Sequence, residues 1–286
     1  MSFNTAKLAL EGTRFSDIRH VTETGSTNAD MKGIVRGLGR ANTPSGNSEG
    51  NDSRAVILVA DHQTAGRGRL DRTWDAPPGS SILMTIGFPV AEVDAAVRTL
   101  LTMCLSLAVI DAIESLGIEG VSLKWPNDVV LVDGNHDADA STSPLGYRKF
   151  GGLLAELVQW DPTDPFVLVG LGLNINWGVM PEELRERAAS LDELAGPIDR
   201  WDLITRIVTG FDIRWLPLLE AGEPASLIGP YSNHCSTLGE RVRIEMSNET
   251  LIGTATEVTD TGALIVDSGG ERHTITAGDL IHLRPE

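Results

Sequence analysis

Three arginines fall within six residues of the stretch Asp61-His-Gln-Thr-Ala-Gly-Arg-Gly-Arg-Leu-Asp-Arg-Thr-Trp74, with Gly66 and Gly68 among them. Glycine lets a backbone approach a ligand closely, and guanidinium forks match phosphate or carboxylate oxygens two at a time. A solvated surface loop has the same composition, so taken alone the stretch reads either way. Trp74 at its end can stack on a base or anchor the loop in the core. A second segment, Leu123-Lys-Trp-Pro-Asn-Asp128, sets a lysine between apolar runs. Lys124 would lose its hydration there unless a carboxylate or a ligand paired with it, and Asp128 is the nearest candidate in the chain. The plainer alternative is a buried structural Lys–Asp pair. A third segment, Lys149-Phe-Gly-Gly-Leu-Leu-Ala-Glu156, puts a lysine just before Gly151 and Gly152, a natural place for an anion. The run Val167 to Asn176 ends in asparagines. Asn174 carries both donor and acceptor for a ribose, phosphate or ureido group, or it closes a strand-end turn.

Such side chains need rigid elements to hold them. Alternation predicts a strand over Ile18–Glu23, followed by a helix capped by Ser26 or Thr27, with Asp30 in its first turn and an end near Gly37 or Gly39. Residues 40–54 are polar and glycine-rich and read as a mobile loop. Continuous apolar runs predict buried strands over Ala55–Ala60 and Ser81–Phe88, with an aperiodic loop over 62–80 between them. Ala95–Leu116 is apolar on most faces and predicts a buried helix. Val121–Lys124 and Val129–Val132 read as strands around the turn residues Pro126, Asn127 and Asp128. Residues 133–147 read as an insertion, Phe150–Val158 and Phe166–Ile175 as a core hairpin, and Glu182–Leu219 as helix in pieces. From Thr237 the pattern changes to the short strands Arg241–Met246, Thr250–Val258, Ala263–Asp267 and Arg272–Thr276. The expected division is residues 1–232 as the ligand-binding domain and 233–286 as a small SH3-like β-barrel.

The chain has 286 residues and a formal net charge of −17, so it repels nucleic acid as a whole. Only Lys7, Lys32, Lys124 and Lys149 are lysines, which makes two lysines in apolar, glycine-bearing segments noteworthy. No apolar run is long enough to span a bilayer, and the N-terminus does not read as a secretory signal. Cys104 and Cys235 are too far apart for a CxxC site or a disulfide framework. A cytoplasmic protein is expected. Several common motifs are excluded: there is no Gly-Lys for a phosphate-binding P-loop, no Gly-x-Gly pair has its third glycine, and no HExxH occurs.

In order along the chain stand Gly25-Ser-Thr-Asn28, Gln63-Thr-Ala-Gly-Arg-Gly-Arg69, Lys124-Trp-Pro-Asn-Asp128, Lys149-Phe-Gly-Gly152 and Gly170-Leu-Gly-Leu-Asn174. Taken together they resemble the biotin protein ligases, and the resemblance runs from about residue 20 to the C-terminus. It implies an α+β fold: a mixed-sheet catalytic domain of the biotin/lipoate ligase type, similar to class II synthetases, with a C-terminal SH3-like barrel. It also implies a reaction in two steps. Biotin and ATP, with Mg²⁺, form biotinyl-5′-adenylate, and a lysine of a biotin carboxyl carrier domain of an acyl-CoA or pyruvate carboxylase then takes the biotin.

By match to the motifs, Ser26, Thr27, Asn28, Gln63, Gly66, Arg67, Gly68, Arg69, Lys149, Gly151 and Gly152 would surround biotin. Arg69, Arg72, Trp74, Asn127, Lys149 and Asn174 would hold ATP. Lys149, Arg69, Lys124 and Asp128 would serve the chemistry, with Asp128 also a ligand for Mg²⁺. Two features depart from the pattern: Asp71 stands where the family usually has glycine, and the 133–147 insertion precedes Lys149. Gly25-Ser-Thr-Asn28 begins too early for the DNA-binding winged helix of some members, so neither DNA nor a membrane is an expected partner. A lipoate-attaching enzyme and a biotin-sensing regulator are the competing readings.

Overall fold

Gln63, Lys124, Asp128, Lys149, Gly151, Gly152 and Asn174 sit on strands of one mixed β-sheet. The computed structural model describes residues 1–41, 55–91, 93–95, 98–132, 146–161, 163–246, 250–276 and 278–283. The first strands are β1 (Asp17–Thr24) and β2 (Val56–Gln63), then β3 (Gly66–Arg67) and β4 (Thr73–Trp74), which pair as a separate ribbon. β5 (Ser81–Pro89), β6 (Val121–Lys124), β7 (Asp128–Val132), β8 (Tyr147–Val158) and β9 (Phe166–Asn174) complete a seven-stranded sheet in the order β1-β2-β5-β9-β8-β7-β6. β1 and β2 run parallel and every other neighbour pair is antiparallel.

Both faces of the sheet are covered, which is why its strands read as unbroken apolar runs. On β2, Val56 and Leu58 join Met31 and Val35 of helix α2 (Thr27–Ala41) on one face. Ile57 and Val59 join the main core on the other. The helices are α1 (Phe3–Ala9), α2 (Thr27–Ala41), α3 (Leu101–Glu114), α4 (Glu182–Arg185), α5 (Asp192–Ala195), α6 (Arg200–Gly210), α7 (Leu216–Glu220) and α8 (Ala225–His234). A π-helical turn, Phe211–Trp215, joins α6 to α7. α3 is buried nearly all round because it lies between the sheet and the α6–α8 layer.

The C-terminal strands β10 (Arg241–Glu245), β11 (Thr250–Val258), β12 (Leu264–Ser268), β13 (Glu271–Ile275) and β14 (Asp279–His282) form an antiparallel sheet in the order β13-β12-β11-β10-β14. Among the described residues no β13–β14 pairing closes it.

Several elements differ from the sequence expectation. α1 was not anticipated; Ser2 Oγ caps it by accepting from Thr5 N–H at 3.3 Å. α2 continues past Gly37 and Gly39 to Ala41. α3 begins six residues after Ala95, behind a 3₁₀ turn at Arg98–Leu100, where Arg98 donates to the carbonyls of Val90 and Val93. The stretch 62–80 is not wholly irregular, since it contains the β3–β4 ribbon. A fifth C-terminal strand, β14, pairs with β10. Of the two expected insertions, 42–54 and 133–145 lie outside the described residues. Among the described residues no helix is long and apolar enough to cross a membrane, and both cysteines are free and buried. Burial pushes the Cys104 thiol up to about 12, which leaves it inert as a nucleophile.

Candidate functional site

The arginine stretch folds as a hairpin. Gly66 pairs with Trp74 and Arg67 with Thr73, and Gly68 N–H donates to Arg72 O at 2.7 Å. Arg72 N–H then closes on Arg69 O at 3.2 Å around Leu70 (φ 54) and Asp71 (φ 58). Positive φ at both central residues makes the tip a primed, type I′-like turn, which favours Asn-Gly, within a three-residue loop, 69–71. Gly66 is required by packing: a Cβ there would stand 2.3 Å from Trp74 O.

The ribbon roofs a cavity of about 910 Å³. Of the residues singled out from sequence, Ser26, Thr27, Asn28, Gln63, Arg67, Gly68, Arg69, Arg72, Trp74, Lys124, Asn127, Asp128, Lys149, Gly152 and Asn174 all line it. Gly66 and Gly151 are not in its wall. At Gly151 a Cβ would meet Gly172 O at 2.6 Å, so that glycine serves the β8–β9 contact.

At one end sits a relay of amides and hydroxyls. Gln63 Oε1 accepts from Thr27 N–H at 2.8 Å and from Thr27 Oγ1 at 3.0 Å. The first-turn N–H of α2 is thereby satisfied by a β2 side chain. Thr85 Oγ1, wholly buried, stands 2.8 Å from Thr27 Oγ1 and 2.6 Å from Asn28 Oδ1. Asn28 Nδ2 donates to Glu156 Oε2 at 3.0 Å, and Lys32 Nζ donates to Glu156 Oε1 at 2.7 Å. Burial pushes the Glu156 carboxyl up, but the bonds from Lys32 and Asn28 and the charges of Lys32 and Arg67 outweigh it, leaving it below its ordinary value.

Elsewhere in the cavity Lys149 Nζ bridges to Asp128 Oδ1 at 2.7 Å and lies 5.8 Å from the Trp74 ring centroid. Trp74 packs flat on Gly172, where a Cβ would come within 2.7 Å of the indole, and its Nε1 is buried with no partner among the described residues. Arg69 donates to Asn127 Oδ1 at 3.0 Å and to Gly278 O at 3.3 Å. Asn127 Nδ2 in turn donates to Leu153 O at 2.7 Å. Lys124 stands opposite Asp128 in the β6–β7 register, is 4% exposed and donates to Leu280 O at 2.8 Å, while Asp128 takes an ion pair from Lys149. Asn174 Oδ1 accepts from Ser81 Oγ at 3.2 Å and from Trp177 Nε1 at 3.1 Å, and its Nδ2 donates to Ala189 O. That amide therefore holds Trp177 at the cavity wall.

Thr85, Glu156, Lys32 and Trp177 were not singled out from sequence. Only Glu156, at the end of the Lys149 segment, and Lys32, as one of few lysines, carried any signal. Gly278 and Leu280 show that the C-terminal sheet supplies part of the wall.

Comparison with known proteins identifies the family. Residues 46–174 match the model of the biotin/lipoate A/B protein ligase family, and residues 237–283 match that of the biotin protein ligase C-terminal domain. A biotin–[acetyl-CoA-carboxylase] ligase of Mycobacterium tuberculosis is 34% identical over 96% of this chain and 91% of its own. The chain belongs to the biotin protein ligase family. A bifunctional ligase/repressor of Bacillus subtilis is 28% identical over 80% of this chain and 67% of its own. A solved biotin protein ligase of Aquifex aeolicus, in complex with biotin and ATP, shares the fold with a TM-score of 0.72 at 24% identity, covering 95% of this chain and all of that one.

Proposed function

We propose that this protein activates biotin with MgATP to biotinyl-5′-adenylate and transfers the biotin to a lysine of a biotin carboxyl carrier domain of an acyl-CoA or pyruvate carboxylase. The observation that carries this reading is that one cavity joins amide and hydroxyl groups suited to a urea with the cations Arg67, Arg69, Arg72, Lys124 and Lys149. Residues 1–232 and the C-terminal unit 233–286 form the two parts of the ligase, working in the cytoplasm on protein rather than on DNA.

In the first step an oxygen of the biotin carboxylate attacks the α-phosphorus, the bond to the bridging oxygen breaks, and pyrophosphate leaves. Lys149 comes away from Asp128 to meet the carboxylate and α-phosphate oxygens, offsetting charge where it accumulates. Arg69 and Arg72 hold the nucleotide, with Trp74 beside its base and Asn127 and Asn174 fixing the wall. Ser26, Thr27, Asn28, Gln63, Arg67, Gly68 and Gly152 surround the biotin. In the second step the lysine amine of the carrier attacks the acyl carbon, AMP leaves with the bonding pair, and the amine loses its proton.

Among the described residues no three His, Cys, Asp or Glu side chains gather into a metal cluster. Asp128 as a lone carboxylate fits Mg²⁺ arriving on the phosphates of ATP, a cation that keeps waters and needs few protein ligands. Mg²⁺ supplies charge neutralisation of the phosphates; the protein supplies the positioning.

The test is biotin-dependent exchange of labelled pyrophosphate into ATP, followed by transfer to one lysine of a carrier domain. Exchange with lipoate or octanoate and not with biotin would overturn the substrate. Nanomolar, sequence-dependent duplex binding at about 150 mM salt would favour a biotin-sensing regulator instead.

A further inference from the structure

Asn28 and Gln63 both line the cavity, and the structure determines which end of each amide faces outward. Gln63 Oε1 already accepts two bonds from Thr27, so the group Gln63 offers the cavity is its NH₂ donor. Asn28 is oriented the other way. Its Nδ2 points at the Glu156 carboxylate, which can only accept, and at Leu154 O at 3.3 Å. Its Oδ1 faces Thr85 and keeps a second lone pair for the cavity. Lys32 neutralises the far oxygen of Glu156 and so keeps that carboxylate charged and in place. Asn28 is 5% exposed and lies against Gly170, where a Cβ would stand 2.3 Å from Oδ1, so the amide is packed tightly and its neighbours decide which end faces where.

We infer that Glu156 is the positioning residue that fixes the polarity of this end of the cavity. Through Asn28 it presents an acceptor next to the Gln63 donor, the complement of the adjacent N–H and C=O of a cyclic urea. This rests on the proposed biotin reading and says how the urea is recognised. A flipped Asn28 would set its NH₂ against the urea N–H, leaving two donors face to face. Glu156 touches no substrate and acts through Asn28 alone. A glutamine in its place can donate as well as accept, so it no longer dictates how Asn28 sits.

The experiment is pyrophosphate exchange by the full chain and its E156Q, N28A and N28A/E156Q variants, with desthiobiotin, which keeps the urea, as a second substrate. We expect E156Q to raise KM for biotin and desthiobiotin about tenfold or more, as for a lost buried hydrogen bond, with kcat and KM for ATP within about twofold of wild type. The effect should vanish in the N28A background, because Glu156 works through that amide. An unchanged KM for biotin in E156Q, additivity with N28A, or kcat and KM for ATP falling in step would each overturn the inference. If E156Q does not fold, Lys32→Met is read alone: a raised KM for biotin supports the inference and an unchanged one overturns it. A wild-type chain without biotin-dependent exchange would instead sink the ligase reading itself.

Discussion

Lys149 Nζ stands 2.7 Å from Asp128 Oδ1, across the register that pairs Val130 with Lys149 and Asp128 with Gly152. The charge that the proposed reaction needs is thus kept neutralised by a neighbouring strand until a carboxylate and a phosphate displace Asp128. Both side chains are partly exposed, so the pair adds less than about 1 kcal/mol to folding. Lys149→Ala should therefore melt within a few degrees of wild type yet lose biotin-dependent pyrophosphate exchange by about a hundredfold or more. Near-normal exchange in the variant would show that Lys149 is only a strand ion-pair partner.

Arg69 ties the hairpin to two distant points, Asn127 Oδ1 and Gly278 O. Arg69→Gly should weaken retention of the adenylate more than its synthesis. Bonds from a charged group contribute about 1.5–3 kcal/mol, against about 1 kcal/mol or more of entropy per ordered residue. The closed hairpin is then marginal and opens when the arginine goes. Free biotinyl-adenylate and labelling of bystander lysines in added albumin are the readouts. A variant that makes adenylate normally and still labels only the carrier would refute this role.

The I′ turn at Leu70-Asp71 predicts a change in the opposite direction. Leucine at φ 54 and aspartate at φ 58 each sit in the left-handed region, at roughly 1–2 kcal/mol per residue. Replacing the pair with Asn-Gly, the residues this turn favours, should favour the closed hairpin by about 1–2 kcal/mol after the added freedom of glycine is subtracted. Escape of the adenylate, followed by rapid-quench release, should slow several-fold. Faster escape in the L70N/D71G variant would mean that the strain serves closure.

His282 carries a pH prediction. Burial, with Lys124 nearby, lowers its imidazole from the usual 6.5 to about 4. The unfolded chain binds this proton below pH 6.5, whereas the folded chain binds it only near 4. Stability should therefore fall as the pH drops through that window, by about 3 kcal/mol from this group. The melting temperature of wild type relative to His282→Gln should fall as the pH drops from 7 to 4. Curves that stay parallel would place His282 in water.

Much of the site was legible because its residue types are anomalous where they stand. A lysine between apolar strands and arginines among glycines each have a plain alternative, an ion pair or a solvated loop, yet they converge on one cavity. What escaped was set by long-range geometry. Lys124, opposite Asp128 across β6 and β7, also donates to the Leu280 carbonyl, 156 positions away, a contact that nothing local signals. Thr85 lies in the run Ser81-Ile-Leu-Met-Thr-Ile-Gly-Phe88, where a threonine reads as an ordinary strand residue. The β3–β4 hairpin stayed hidden because Leu-Asp is not a pair that announces a primed turn. In the fold, the buried strands were plain from their unbroken apolar runs. β14, four residues at the end of the chain, had too little pattern to show.

Gly278 and Leu280 belong to the cavity wall, and their carbonyls receive Arg69 and Lys124. The small C-terminal sheet is consequently not an interchangeable module. A chimera that grafts this unit from a relative would import its own set of backbone acceptors against the hairpin. Its leakiness toward the reactive anhydride would then follow the donor of those six residues, 278–283, more than the parent of the large sheet.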